Sequence, residues 1–148
     1  MNTGLNSPWR RIGGFTLIEI MIVMVIIAML AALVGPRLIN ALSSSKVKAT
    51  RIQIETLSNA IETFHLDTGR YPSPQEGLRA MIENPQPNGI PNWHGPYLKK
   101  LKIPTDEWGH AFLYEVPGKH GMGFDLYSLG ADAKPGGSGD DADIGNWE

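Results

Sequence analysis

Residues 15–34 read FTLIEIMIVMVIIAMLAALV, and within those twenty residues only Thr16 and Glu19 are polar. At about 1.5 Å per residue, a helix of that length reaches across the roughly 30 Å of a bilayer's hydrocarbon core. The run therefore predicts a membrane-spanning helix. A secretory signal would have a shorter apolar stretch, about 7–15 residues, closed by small residues in an A-x-A-like pattern. This run is longer, and no such pattern closes it.

Small residues stand before the run instead, as Arg10-Arg11-Ile12-Gly13-Gly14, and Phe15-Thr16-Leu17-Ile18-Glu19 follows. A bare Gly-Phe pair carries no information. The basic pair, the Gly-Phe-Thr-Leu-Ile-Glu segment and the long apolar run together resemble the type IV prepilins. That resemblance implies cleavage between Gly14 and Phe15 by a prepilin peptidase, N-methylation of Phe15, and retention of the apolar helix. Glu19 lies inside the run, where an acidic side chain costs about 3 kcal/mol on insertion scales and usually serves a function. The bland alternative is a carboxylate near the interface that reaches the headgroups. The resemblance implies that Glu19 meets the Phe15 amine of a neighbouring subunit, neutralising both charges and setting register. Arg10 and Arg11 precede the span, but Arg37, Lys46, Lys48 and Arg51 follow it, so the positive-inside rule does not choose a topology. An N-terminus on the cytoplasmic side rests on the resemblance alone.

Gly35-Pro36 removes an amide donor and predicts a kink. An amphipathic pattern resumes behind it, with Leu38 and Leu42, then Ile54, Leu57, Ile61 and Phe64 at spacings of three and four. One long, bent helix from about Phe15 to about Leu66 is the economical reading, although a stand-alone solvated helix fits residues 43–51 equally well. Ser73-Pro74-Gln75-Glu76 is a capping box with proline at the first helical position, predicting a short helix from Pro74 to about Asn84. Ala111–Val116 and Phe124–Leu129 are aromatic and branched runs that predict two antiparallel strands, with Tyr97–Ile103 as a candidate third element. The organisation expected is residues 1–14 as a leader, 15–35 as the transmembrane part of the helix, 36–66 as its amphipathic part, and 67–148 as a globular domain.

The 148 residues carry a net charge of −2 without a basic run, which argues against nucleic acid as a partner. The absence of cysteine excludes disulfides and thiolate zinc sites. The histidines at 65, 94, 110 and 120 show no metal-ligand spacing, and neither a nucleophile motif nor a phosphate-cradling one is present, so the chain does not read as an enzyme. Its aromatic residues, including Trp93, Tyr97, Phe112, Tyr114 and Phe124, are expected to fill the core of a small domain.

Residues 132–143, DAKPGGSGDDAD, place four carboxylates in a glycine-rich loop. That composition permits a calcium site. The EF-hand spacing fails after Asp132, and composition alone favours a solvated acidic loop. Asp67–Pro72 (DTGRYP), Glu76–Leu78 (EGL), Trp93–Leu98 (WHGPYL) and Tyr127–Asp132 (YSLGAD) resemble the major pseudopilins of bacterial type II secretion more closely than a generic pilin, and the likeness covers residues 10–148. It implies an α+β pilin-like fold, with a long N-terminal helix packed on a small antiparallel sheet and a C-terminal calcium-binding loop. Under that likeness Asp132 and Asp143 are the strongest ligands and Asp140 and Asp141 weaker ones, helped by the carbonyls of Leu129 and Lys134. It also implies a homopolymer that forms a periplasmic pseudopilus and helps export folded proteins. The partners so implied are minor pseudopilins, an inner-membrane assembly platform, the prepilin peptidase and, indirectly, an outer-membrane secretin. The alternatives are a type IV pilin for adhesion or DNA uptake and, from another class, a single-span membrane-anchored enzyme or binding protein.

Overall fold

A computed structural model of the chain describes residues 14–85 and 88–148. The leader expected over residues 1–14 therefore lies outside the described residues, apart from Gly14. In chain order the elements are α1 (Leu17–Thr68), a 3-10 helix (Gly77–Met81), β1 (Leu113–Glu115), β2 (Asp125–Ser128), a second 3-10 helix (Gly139–Asp141) and β3 (Ile144–Gly145). The chain divides within α1 into one unit ending at Ile39 and another running from Asn40 to Glu148.

In the first unit α1 is apolar apart from Glu19 and Arg37, and exposed apart from the half-buried Gly35. Ile18, Met21, Met24, Met29 and Leu33 are all at least half exposed, and the stretch is long and apolar enough to cross a membrane. Pro36 lies inside the helix rather than ending it.

In the second unit the same helix supplies one wall of the core. Ile54, Leu57, Ala60, Ile61 and Phe64 recur at the spacing that puts side chains on one face, and all are buried. They join Leu78, Met81, Ile90, Leu98, Phe112, Phe124, Leu126 and Ile144 in one cluster, with Trp93, Tyr97, Trp108 and Tyr114 packed at its edge. Trp93, Tyr97, Trp108, Phe112, Tyr114 and Phe124 thus serve the core as expected, whereas Trp147, expected there too, stands outside it against His120.

The sheet is antiparallel in the order β1-β2-β3, with Tyr114 opposite Leu126 and Ser128 opposite Ile144. Its third strand is Ile144–Gly145, not the expected segment Tyr97–Ile103. Residues 97–103 instead form an irregular stretch in which Tyr97 N–H donates to the Met81 carbonyl, Leu98 is buried and Lys99, Lys100 and Lys102 are exposed.

The capping box forms as expected: Ser73 N–H donates to the Glu76 carboxylate at 2.7 Å and Glu76 N–H to the Ser73 hydroxyl at 3.3 Å. The α-helix expected behind it does not follow. Gly77 takes φ +52, which breaks the right-handed run, and the chain continues as the 3-10 helix Gly77–Met81. Both Arg70 guanidinium nitrogens donate to Glu76, each at 2.7 Å.

Two outcomes follow from this packing. Leu57→Ala, which empties a fully buried position, should lower unfolding stability by about 2–5 kcal/mol in denaturant titration. The Arg70 guanidinium, aided by Ser73, holds the Glu76 carboxyl down at about 2, from an ordinary 4.5, although burial works against it. A carboxyl depressed in the folded state contributes stability that is complete above the unfolded value and is lost as pH falls through the folded one. Glu76→Gln should therefore melt below the wild type at neutral pH, and the gap should close between pH 4.5 and 2. An equal gap at both ends of that range would show that the ion pair contributes nothing.

Candidate functional site

Two regions carry the residues singled out from the sequence, one in each unit. At the start of α1, Phe15 is 82% exposed, and a side chain built at Gly14 would meet nothing within 4 Å. Thr16 caps the helix. Its N–H and its hydroxyl both donate to Glu19 Oε2, at 3.1 and 3.2 Å, and Glu19 N–H donates back to Thr16 Oγ1 at 3.2 Å. This is a reciprocal capping box, and a carboxylate there also complements the helix dipole. The T-x-x-E pattern of Thr16 and Glu19 is the signal in the sequence that marks this cap.

The acidic loop begins beyond β2 at Gly130, whose φ of +68 and close approach to the Asp140 carbonyl leave no room for a side chain. Asp132 Oδ1 accepts Lys134 N–H at 3.0 Å, a local turn. Asp143 Oδ2 accepts Gly136 N–H at 2.9 Å, and Asp143 Oδ1 is buried without a partner. The main-chain carbonyl of Asp140 accepts Ala131 N–H at 2.8 Å, and its side chain accepts the hydroxyl of Ser43 on α1. Asp141 is exposed, as is Lys134.

The side chains of Asp132, Asp140 and Asp143 thus engage different groups, and no three acidic or histidine side chains converge on one point among the described residues. Leu129 and Asp143 do come together. They line one cavity of about 240 Å³ with Glu115, Asp125, Tyr127 and Trp147. Leu113, Lys119, His120 and Pro135 complete its lining, and the Glu115 and Asp125 carboxylates are already paired with Lys119 and His120, which leaves the Asp143 carboxylate as the oxygen group there suited to a hard cation such as calcium. The unpartnered Asp143 oxygen is the atom that such an ion would satisfy.

The segment behind the loop is held by contacts that the sequence did not disclose. Leu126 N–H donates to Asn146 Oδ1 at 3.0 Å, Asn146 Nδ2 donates to the Phe124 carbonyl at 3.2 Å, and Asn146 N–H donates to the Leu126 carbonyl at 3.0 Å. Trp147 stacks on His120 at 3.8 Å, and His120 Nδ1 lies 2.9 Å from Asp125 Oδ2. Burial would push the Asp125 carboxyl up, but the Lys119 N–H and His120 outweigh it and hold the group below its usual range. Asp106, also buried, accepts from the Ser128 hydroxyl at 2.6 Å and from His110 N–H at 2.7 Å. His110 and His120 thus serve as structural partners of buried aspartates.

With this geometry in view, comparison with known proteins gives a consistent result. Residues 37–147 match the family described as type II secretion system (T2SS), protein G, and residues 9–35 match the prokaryotic N-terminal methylation motif. The chain is 49% identical to the type II secretion system core protein G of Pseudomonas aeruginosa, over 94% of this chain and 97% of that one. It is 44% identical to the core protein G of Xanthomonas campestris, over 88% and 87%. Among solved structures it is similar to the major pseudopilin of the type 2 secretion system of enterohaemorrhagic Escherichia coli. That match has a TM-score of 0.61 and 28% identity, and covers 76% of this chain and 95% of the other.

Asn146→Ala would leave the Leu126 N–H and the Phe124 carbonyl without their side-chain partner, at about 1–3 kcal/mol for buried groups. The variant should lose stability by that amount in denaturant titration, and Trp147 fluorescence should report release from the His120 stack. A variant as stable as the wild type would show that water replaces the amide without loss.

Proposed function

The chain belongs to the type II secretion system protein G family, the major pseudopilins, and from that premise we propose how it is processed, held and assembled. Residues 1–14 are removed by a prepilin peptidase between Gly14 and Phe15, and the new Phe15 amine is methylated. Before assembly the subunit is a single-pass inner-membrane protein with residues 67–148 in the periplasm. It then polymerises with copies of itself, joined by minor pseudopilins and guided by an inner-membrane assembly platform, and the filament acts on exported proteins ahead of an outer-membrane secretin.

The observation that carries this reading is the division of α1. Its first half is apolar and exposed, and its second half belongs to a packed core. Lipid covers such a surface in storage, and the same halves of neighbouring copies can cover it in a filament. Glu19 is the exception in the apolar half. In the single chain its carboxylate caps Thr16. In a filament the Phe15 amine of a neighbour offers it a full positive charge in a medium of low dielectric, where pairing is worth more than a neutral cap. A structural role of this kind needs no catalytic group, and the matched family is a structural one.

Within the acidic loop we propose a calcium site centred on Asp143. Asp143 and Asp132 would hold the ion together with the Leu129 carbonyl, and Asp140, Asp141 and the Lys134 carbonyl would contribute less directly. The buried, unpartnered Asp143 Oδ1 supports this reading. Calcium would supply positive charge among the four carboxylates of the loop and would fasten the loop in a chain without disulfides.

Deletion of the gene should abolish secretion of the exported proteins. The wild-type gene should restore it, and Glu19→Ala should not, although it should leave leader removal intact. Full secretion with Glu19→Ala would remove the proposed role of that carboxylate. Chelation should lower the melting temperature of a chain lacking residues 1–39, by the equivalent of about 1 kcal/mol for a millimolar-range extracytoplasmic site. Asp143→Ala should abolish that dependence. Identical melting curves in calcium and in chelator would return the loop to a merely solvated acidic segment.

A further inference from the structure

The four carboxylates of the acidic loop do not do the same work. Asp143 turns an unpartnered oxygen inward, whereas Asp140 turns away and accepts the hydroxyl of Ser43, which lies 97 residues earlier in the chain. We infer that Asp140 is a positioning residue: through Ser43 it ties the acidic loop to α1, so that order in the loop is passed to residues 43–48 of the helix.

The location of the contact gives it leverage. Between residues 41 and 49 the helix is exposed except at Ser43, Val47 and Ala49, which are half-buried, and the first fully buried position is Thr50. This stretch therefore gains little from apolar packing, and a polar contact to a charged acceptor is a large share of what holds it. Farther along, Thr50 accepts Glu107 N–H and Arg51 pairs with Glu148. The ion pair has a largely exposed arginine and contributes little.

At its other end, Asp140 is fixed to the beginning of the loop. Its carbonyl accepts Ala131 N–H, and the absence of a side chain at Gly130 allows the close approach. Gly139, just before it, lines a cleft against Ser43, Val47 and Lys48 on the helix. The residue thus joins the start of the loop, its far arm and the helix. A disordered loop would have to spend conformational entropy to keep the Ser43 contact, and an ordered one presents the carboxylate in place.

The part of this inference that concerns calcium rests on the site proposed above. The test is hydrogen exchange on the full chain in detergent micelles, with calcium chloride or chelator. Ser43→Ala and Asp140→Ala should each speed exchange at residues 43–48 roughly two- to tenfold, the worth of one such hydrogen bond. Residues 54–64 should not change, and Ser43→Thr, which keeps the hydroxyl, should match the wild type. In the wild type, calcium should slow exchange both at residues 131–143 and at residues 43–48; in Ser43→Ala it should slow only the loop. Unchanged exchange at 43–48 in both alanine variants would overturn the tether, as would calcium protection of 43–48 that survives in Ser43→Ala. If calcium leaves the wild-type loop unaffected while Ser43→Ala still speeds exchange at 43–48, the tether stands and the calcium site falls.

Discussion

An apolar helical surface that no other part of the described chain covers is the constraint from which the rest of this protein follows. Residues 17–34 are exposed on every side. Water is a poor solvent for such a surface, so the chain is stable only where lipid or other protein surrounds it. Both environments also penalise an unpaired charge, which makes Glu19 the one position in the run that must find a partner. Its own helix start provides one through Thr16.

The second unit solves a different problem. Its sheet has three very short strands, too little to stand alone, and there is no disulfide. The wall of the core is supplied by Ile54, Leu57, Ile61 and Phe64, so the helix that carries the anchor also carries the fold. Side chains replace missing ladder bonds elsewhere: Asn146 extends the pairing along β2, and buried Asp106 and Asp125 each gather donors from a turn. The domain is therefore held by one helix face and a few polar nodes.

Much of this could be read from the residues, and the parts that could not have definite physical causes. The face Leu57, Ile61 and Phe64 is a spacing pattern, local and regular, and it packs as the pattern says. The capping box at Ser73 also formed, but the glycine directly behind it turned a predicted α-helix into a 3-10 helix. β3 escaped notice because two residues carry no periodicity, and their strand character comes from pairing with β2 rather than from the segment itself. The acidic loop was visible as composition, yet composition cannot tell which carboxylate points inward. Ser43 gives no sign of its partner, since that contact joins residues 97 positions apart in the chain.

The proposed retention of the apolar helix on the mature subunit, with Glu19 paired to the Phe15 amine of a neighbouring copy, is tested most directly at the N-terminus. Mass spectrometry of the protein extracted from membranes of cells with an intact secretion system should find a chain that begins at Phe15 and carries a methyl group on its amine. A mature chain that still begins at Met1, or one cut beyond Val34 and released from the membrane, would contradict that reading.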